Sequence, residues 1–139
     1  VARVRRHGHD MSMIMLDIDH FKKINDKYGH ETGDLVIKAV ADVLRSRCRE
    51  EDVAVRLGGE EFVVVLEHCD LQGAAEVAEN IRIQVEQLLP NDVYVAISSG
   101  VAILDKNQNS FDELFRNADE ALYQAKEQGR NRVVVYKEN

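Results

Sequence analysis

Arg56-Leu57-Gly58-Gly59-Glu60-Glu61-Phe62 separates two runs of strand-forming residues, Val53 to Leu57 and Glu61 to Leu66. Gly-Gly between such runs is a strong local signal for a β-hairpin, since glycine enters the turn conformations at no steric cost. The turn then carries Glu60 at its tip. Two glycines also remove side-chain bulk, so that a phosphate can approach the backbone directly. Taken alone, Gly-Gly-Glu-Glu is more often a turn with solvated glutamates. A second acidic pair at the end of another strand changes that balance.

That pair is Asp17 and Asp19, which close the apolar run Ser12-Met13-Ile14-Met15-Leu16-Asp17-Ile18, a buried strand by composition. From His20 to Tyr28 a short lysine-rich helix is predicted, with Phe21 and Ile24 facing inward and Asp19 suited to its N-cap. Residues 29–34 read as punctuation before a longer helix ending near Arg47. A third helix spans about Leu71 to Leu89, with Pro90 marking the exit, and Val93 to Ile103 is strand-like. Ser110 with Glu113 forms a capping-box pattern for a fourth helix, Gly129 suits its stop, and Val133 to Tyr136 is a last strand. Val1 to Arg6 looks like the end of a helix.

The order β-α-α-β-β-α-β-α-β predicts an α/β fold, an α+β sandwich. Its mixed sheet has about five strands flanked by helices, with the first strand central. If that strand neighbours the hairpin, Asp17 and Glu60 meet at one sheet edge.

At 139 residues the chain fits a single domain with one core. The formal charge of −7 argues against a nucleic-acid polymer as partner, which requires a basic surface. It leaves room for one nucleotide, because a local cationic cluster or a divalent ion reverses the potential within a pocket. The only cysteines, Cys48 and Cys69, read as reduced thiols in a cytoplasmic setting. No apolar run reaches membrane-spanning length, so direct membrane insertion is not expected, although a parent protein could carry an anchor.

Carboxylates from separate strands suit Mg²⁺, which uses one or two protein ligands and takes the rest from substrate phosphates. Asp17 and Glu60 fit that role, while Asp19 serves equally as a helix cap. His20 and His30 are better read as exposed or structural than as zinc ligands. Lys22, Lys23 and Lys27 lie on the short helix, and Lys126, Arg130 and Arg132 surround the end of the fourth. The free N–H groups and dipole at the short helix's start favour an anion just past the acidic pair.

Asp17-Ile18-Asp19-His20-Phe21-Lys22-Lys23-Ile24-Asn25-Asp26, Gly29-His30, Gly33-Asp34, Gly58-Gly59-Glu60-Glu61-Phe62, Ala118 to Lys126 and Gly129-Arg130-Asn131 together resemble the GGDEF-domain diguanylate cyclases, in order and at compatible spacing. The resemblance covers nearly the whole chain, here in a Gly-Gly-Glu-Glu-Phe variant. It implies a fold like adenylyl cyclase cores and polymerase palms, with a ferredoxin-like core, and condensation of two GTP into cyclic di-3′,5′-GMP with release of two pyrophosphates. Asp17, the backbone carbonyl of Ile18 and Glu60 would bind Mg²⁺ or Mn²⁺, and Glu60 would help deprotonate the attacking hydroxyl. Asn25 and Asp34 take the guanine-reading positions. Lys126 and Arg130 take the phosphate positions, assisted by Phe21, Lys22, Gly58 and Gly59. The reaction needs a homodimer, one GTP per domain.

Arg49-Glu50-Glu51-Asp52 has the Arg-x-x-Asp pattern at which the product, cyclic di-GMP, binds and inhibits such enzymes. Alone, that pattern is also common as an exposed charged turn. The family's usual Asp-x-Leu-Thr and Asn-Arg segment is missing, so residues 1–139 are expected to be one GGDEF domain without its N-terminal segment, downstream of a sensory or regulatory domain. The alternative reading is a module that binds GTP or cyclic di-GMP without catalysis. A purely structural interaction domain would leave the acidic pair and the cationic cluster unexplained.

Overall fold

Alternation along the strands decides what each side chain faces. In the computed structural model, which describes residues 10–104 and 110–137, five strands form one sheet in the order β2-β3-β1-β4-β5. They are β1 (Met11–Ile18), β2 (Val53–Gly58), β3 (Glu61–Glu67), β4 (Ile97–Leu104) and β5 (Val133–Val135). β1 is central and antiparallel to both neighbours; only β5 runs parallel to its partner, β4. Four α-helices connect them: α1 (Phe21–Tyr28), α2 (His30–Arg47), α3 (Leu71–Glu86) and α4 (Phe111–Glu127). This is the mixed α+β sandwich expected, in the expected order.

Ile14, Leu16 and Ile18 of β1 join Val64 and Leu66 of β3 in a core closed by α1, α2 and α3. Met13 and Met15 point to the other face, where Leu114, Ala118 and Leu122 of α4 cover them. Period two therefore sends Asp17 to the α4 face, at the edge where α4 ends. Every β1 residue is buried, as a central strand covered on both sides must be.

Several expectations at element ends change. Asp19 does not cap α1: His20 occupies the N-cap in a left-handed conformation, with no side-chain cap. Its carboxylate instead accepts from Ser98 Oγ at 2.6 Å and from the Asn131 backbone N–H at 2.9 Å. The break predicted over residues 29–34 shrinks to Gly29, because α2 starts at His30 and Gly33 lies inside it. α3 stops at Glu86, and residues 93–96, buried except for Tyr94, form no strand ladder, so β4 begins only at Ile97. Ser110 caps α4 as predicted, accepting from the Glu113 N–H at 3.0 Å. The expected helix over Val1 to Arg6 lies outside the described residues.

Candidate active site

The hairpin delivers Glu60. β2 and β3 are joined through Gly59 and Glu60, with Gly58 at φ 146° and Gly59 at φ 52°, a left-handed value that a side chain resists. Arg56 Nε closes the turn by donating to the Gly59 carbonyl at 2.9 Å. β1 delivers Asp17 in register opposite Glu61, and the Ile18 N–H donates to the Glu60 carbonyl at 3.2 Å. The two acidic stretches thus meet at one sheet edge.

A cleft of about 200 Å³ opens there, lined by Asp17, Ile18, Asp19, His20, Phe21, Lys22, Glu60, Lys126 and Arg130. The acidic pair, the start of α1 and the cations at the end of α4 therefore share one space. Lys22 points outward to Asp26, at 3.1 Å and largely exposed. Arg130 sits on the turn after α4 with φ 65° and makes no side-chain hydrogen bond or ion pair among the described residues.

Asp17 carries the electrostatic signature of the cleft. Burial raises its pKa most; the hydrogen bond and charge of Lys126 oppose this, and the charges of Glu60 and Glu61 add to it. Lys126 Nζ binds Oδ2, while Oδ1 is buried with no hydrogen-bond partner. A buried carboxylate oxygen without a donor is costly unless something else completes it. A divalent cation suits that orphan: hard oxygen donors from Asp17, Ile18 and Glu60 border one space, with room for phosphate oxygens. Among the described residues no three His, Cys, Asp or Glu side chains converge as a metal cage.

Asn25 and Asp34 lie outside this cleft, on the facing helices α1 and α2. Asn25 Oδ1 is buried without a partner, and a Cβ on Gly33 would come within 1.8 Å of it. Gly33 is thus the residue that leaves space for Asn25, while Asp34 is exposed. Arg49 and Asp52 stand at the other end of β3, a strand whose length of 7 residues places them roughly 20 Å from Glu60. There the Asp52 carboxylate accepts from the Arg49 backbone at 2.9 Å, its Nε at 3.0 Å, its Nη2 at 2.9 Å and the Glu67 N–H at 3.1 Å.

Asn131 lies within the Gly129-Arg130-Asn131 motif, whose sequence assigns it no role. In the structure its backbone holds Asp19, and its side chain meets Arg82, Glu86 and Tyr94. The i, i+4 spacing of Arg82 and Glu86 was the available signal.

Comparison with known proteins bears on the family and the fold. Residues 1–132 match the family described as diguanylate cyclase, GGDEF domain. The chain is 46% identical over 129 residues to the probable diguanylate cyclase DgcT of Escherichia coli (strain K12), covering 88% of this chain and 28% of that protein. It is 43% identical over 133 residues to diguanylate cyclase A of Treponema denticola, covering 93% of this chain and 36% of the relative. The chain thus spans about a third of these curated relatives. Among solved structures, the active GGEEF domain of a diguanylate cyclase from Vibrio cholerae superposes with a TM-score of 0.95 at 35% identity, covering 99% of this chain and 90% of that one. The GGDEF domain of DgcB from Caulobacter crescentus, in complex with c-di-GMP, superposes at 0.91 with 35% identity, covering 99% of this chain and 84% of that one. Matched over residues 1–132 and superposing on solved GGEEF and GGDEF domains, the chain belongs to the GGDEF-domain family of diguanylate cyclases.

Proposed function

We propose that residues 1–139 are one catalytic GGDEF domain that condenses two GTP into cyclic di-3′,5′-GMP. Each 3′-oxygen attacks the α-phosphorus of the other GTP, the bond to the β-phosphate oxygen breaks, and pyrophosphate leaves. The observation that carries this reading is the buried, unpartnered Oδ1 of Asp17 in a cleft shared with Glu60, Lys126 and Arg130. A purely structural domain has no need of such an oxygen; a module that binds GTP without catalysis is told apart by forming no product.

Asp17, Glu60 and the Ile18 carbonyl would hold Mg²⁺ or Mn²⁺, which when bound acidifies the attacking hydroxyl and neutralises charge at the α-phosphate. Glu60 carboxylate accepts the 3′-hydroxyl proton. Lys126 and Arg130 hold the terminal phosphates. The Phe21 and Lys22 end of α1, which no side chain caps, offers N–H groups to them, and the bare glycines Gly58 and Gly59 admit them against the hairpin. The Asp34 carboxylate accepts from guanine N1–H and N2–H, and the unpartnered Asn25 Oδ1 adds a second acceptor. Adenine has no such donor pair, so it leaves these acceptors unmet and is rejected.

Glu60→Gln is the test. With GTP and Mg²⁺, product formation should fall by at least about a hundredfold while the melting temperature stays put. Undiminished turnover in that variant rejects the assignment.

Catalysis requires a second copy, because one domain presents one GTP; aligning the two is most of the rate enhancement. Product feedback is assigned to Arg49 and Asp52. Arg49 is half-exposed at the outer end of β3, and its guanidinium suits phosphate or the guanine edge. Arg49→Ala is expected to weaken inhibition by added cyclic di-GMP, and equal inhibition of variant and wild type would remove the site. We place the reaction in the cytoplasm, under control of a sensory or regulatory domain upstream. None of the described helices is long and apolar enough to cross a membrane.

A further inference from the structure

The turn joining α4 to β5 runs through three consecutive residues at positive φ: Gly129 at 123°, Arg130 at 65° and Asn131 at 47°. Glycine adopts this freely and asparagine tolerates it, but arginine enters it rarely, so contacts around the turn hold the backbone of Arg130 there. One such contact is local, the Arg130 N–H donating to the Ala125 carbonyl at 3.0 Å. The Arg130 carbonyl also accepts from Arg132 Nε at 3.1 Å, and among residues 129–131 the long-range contacts are those of Asn131.

Its backbone N–H donates to Asp19 Oδ2 at 2.9 Å. Its Nδ2 donates to Glu86 Oε2 at 2.7 Å and to the Tyr94 hydroxyl at 3.4 Å, and its Oδ1 accepts from Arg82 Nη1 at 3.0 Å. These partners are themselves fixed. Arg82 binds Glu79 through Nε and Nη2, each at 2.8 Å, and Tyr94 donates to Glu86. Hydrogen bonds from Tyr94 and Asn131 hold the Glu86 carboxyl below its usual range. One asparagine thereby ties α3, the segment before β4 and the β1–α1 loop to the turn that carries Arg130. α3 itself contributes no residue to the cleft.

We propose that Asn131, anchored by Arg82, Glu86 and Tyr94, is a positioning residue that aims Arg130 at the phosphate end of the cleft. The inference rests on the reading of Arg130 as a phosphate contact. A turn that served only to reverse the chain would not need this convergence, and α3 becomes part of the substrate-binding apparatus without touching substrate.

Asn131→Gly isolates the effect, because glycine keeps the left-handed backbone while losing all three side-chain bonds. Three quantities are read: KM and kcat for GTP with Mg²⁺, the affinity for the α,β-methylene analogue of GTP by calorimetry, and the melting temperature. The expected result is a rise in KM and in the analogue's dissociation constant of roughly ten- to a hundredfold. The limiting kcat should change far less and melting should stay near wild type. Arg82→Ala should reproduce the shift, which keeps the test open should the glycine variant fold poorly. In an Arg130→Ala background, Asn131→Gly should add nothing. Wild-type KM and affinity in Asn131→Gly overturn the proposal, and so does a shift that persists in full without Arg130, the mark of general loosening. A wild-type chain that neither binds the analogue nor turns over GTP overturns the functional reading first, and this proposal with it.

Discussion

Burial draws the Asp17 carboxyl above the usual aspartate range against the pull of Lys126, and the charges of Glu60 and Glu61 push the same way. A carboxyl raised in the folded state favours folding only while it can be protonated. Its contribution is fully present below the ordinary aspartate value of about 3.9 and is lost as pH rises through the raised folded value. At neutral pH the ionised group therefore burdens the fold. Asp17→Asn, without added metal, is expected to be more stable than wild type by on the order of 1 kcal/mol at pH 7, although inactive. The gap in melting temperature should close as pH falls below the ordinary aspartate range; a gap that widens on acidification contradicts it. Asp52 is the opposite case. Burial raises it too, but the hydrogen bonds from the Arg49 side chain, the Arg49 backbone and the Glu67 backbone win and hold it below the usual range. In sequence both are aspartates beside strands. What separates them is the number of N–H donors that the fold turns toward each, and only coordinates show that.

α4 reaches the sheet at unusually short range. A Cβ on Gly100 would lie 2.2 Å from both the Ala118 carbonyl oxygen and the Leu122 nitrogen, so β4 and the helix backbone are in direct contact. Ala118, Ala121 and Ala125 make that approach possible, each fully buried. Because these are backbone atoms, nothing small can rotate away. Gly100→Ala should lower stability by about 3 kcal/mol in thermal or denaturant unfolding. It should also reduce turnover, since Lys126 rides on the displaced helix; an unchanged melting curve would mean the helix moves freely. The existence and type of each strand and α-helix were legible from periodicity, the N-cap of α4 from Ser110 and its stop from Gly129, which follows the C-cap Gln128. The ends that differed did so for tertiary reasons. Val93 and Val95 alternate like strand residues and are buried like them, yet the segment forms no ladder, only one bond from the Asp19 N–H to the Ala96 carbonyl at 2.9 Å. Asp19 has the chemistry of a cap, but Ser98 and Asn131 claim its carboxylate first.

At the scale of the whole molecule, a central β1 between β3 and β4 brings residues 17 and 60 to one edge, while Arg49 and Asp52 fall at the opposite end of the same hairpin. On the proposed reading one domain presents one GTP, so turnover should depend on encounter between copies that each carry a net charge of −7. Below the dissociation constant of the pair, a twofold dilution should lower the product rate about fourfold. A rate strictly proportional to concentration across that range would refute a pairing requirement. The fold class, the strand and helix order, the family and the candidate carboxylates and cations were all determined by the sequence alone. The fold class and element order depend on side-chain periodicity and turn chemistry, which are local, while the family and the roles of the candidate residues rest on the resemblance of its motifs. Tertiary structure alone decided that Asp17 Oδ1 is left without a donor, that Asp52 is saturated, and that Asn131 gathers α3 and the β1–α1 loop around Arg130. Hydrogen-bond satisfaction in a buried site depends on which distant groups arrive there, and chain order does not encode that arrival residue by residue.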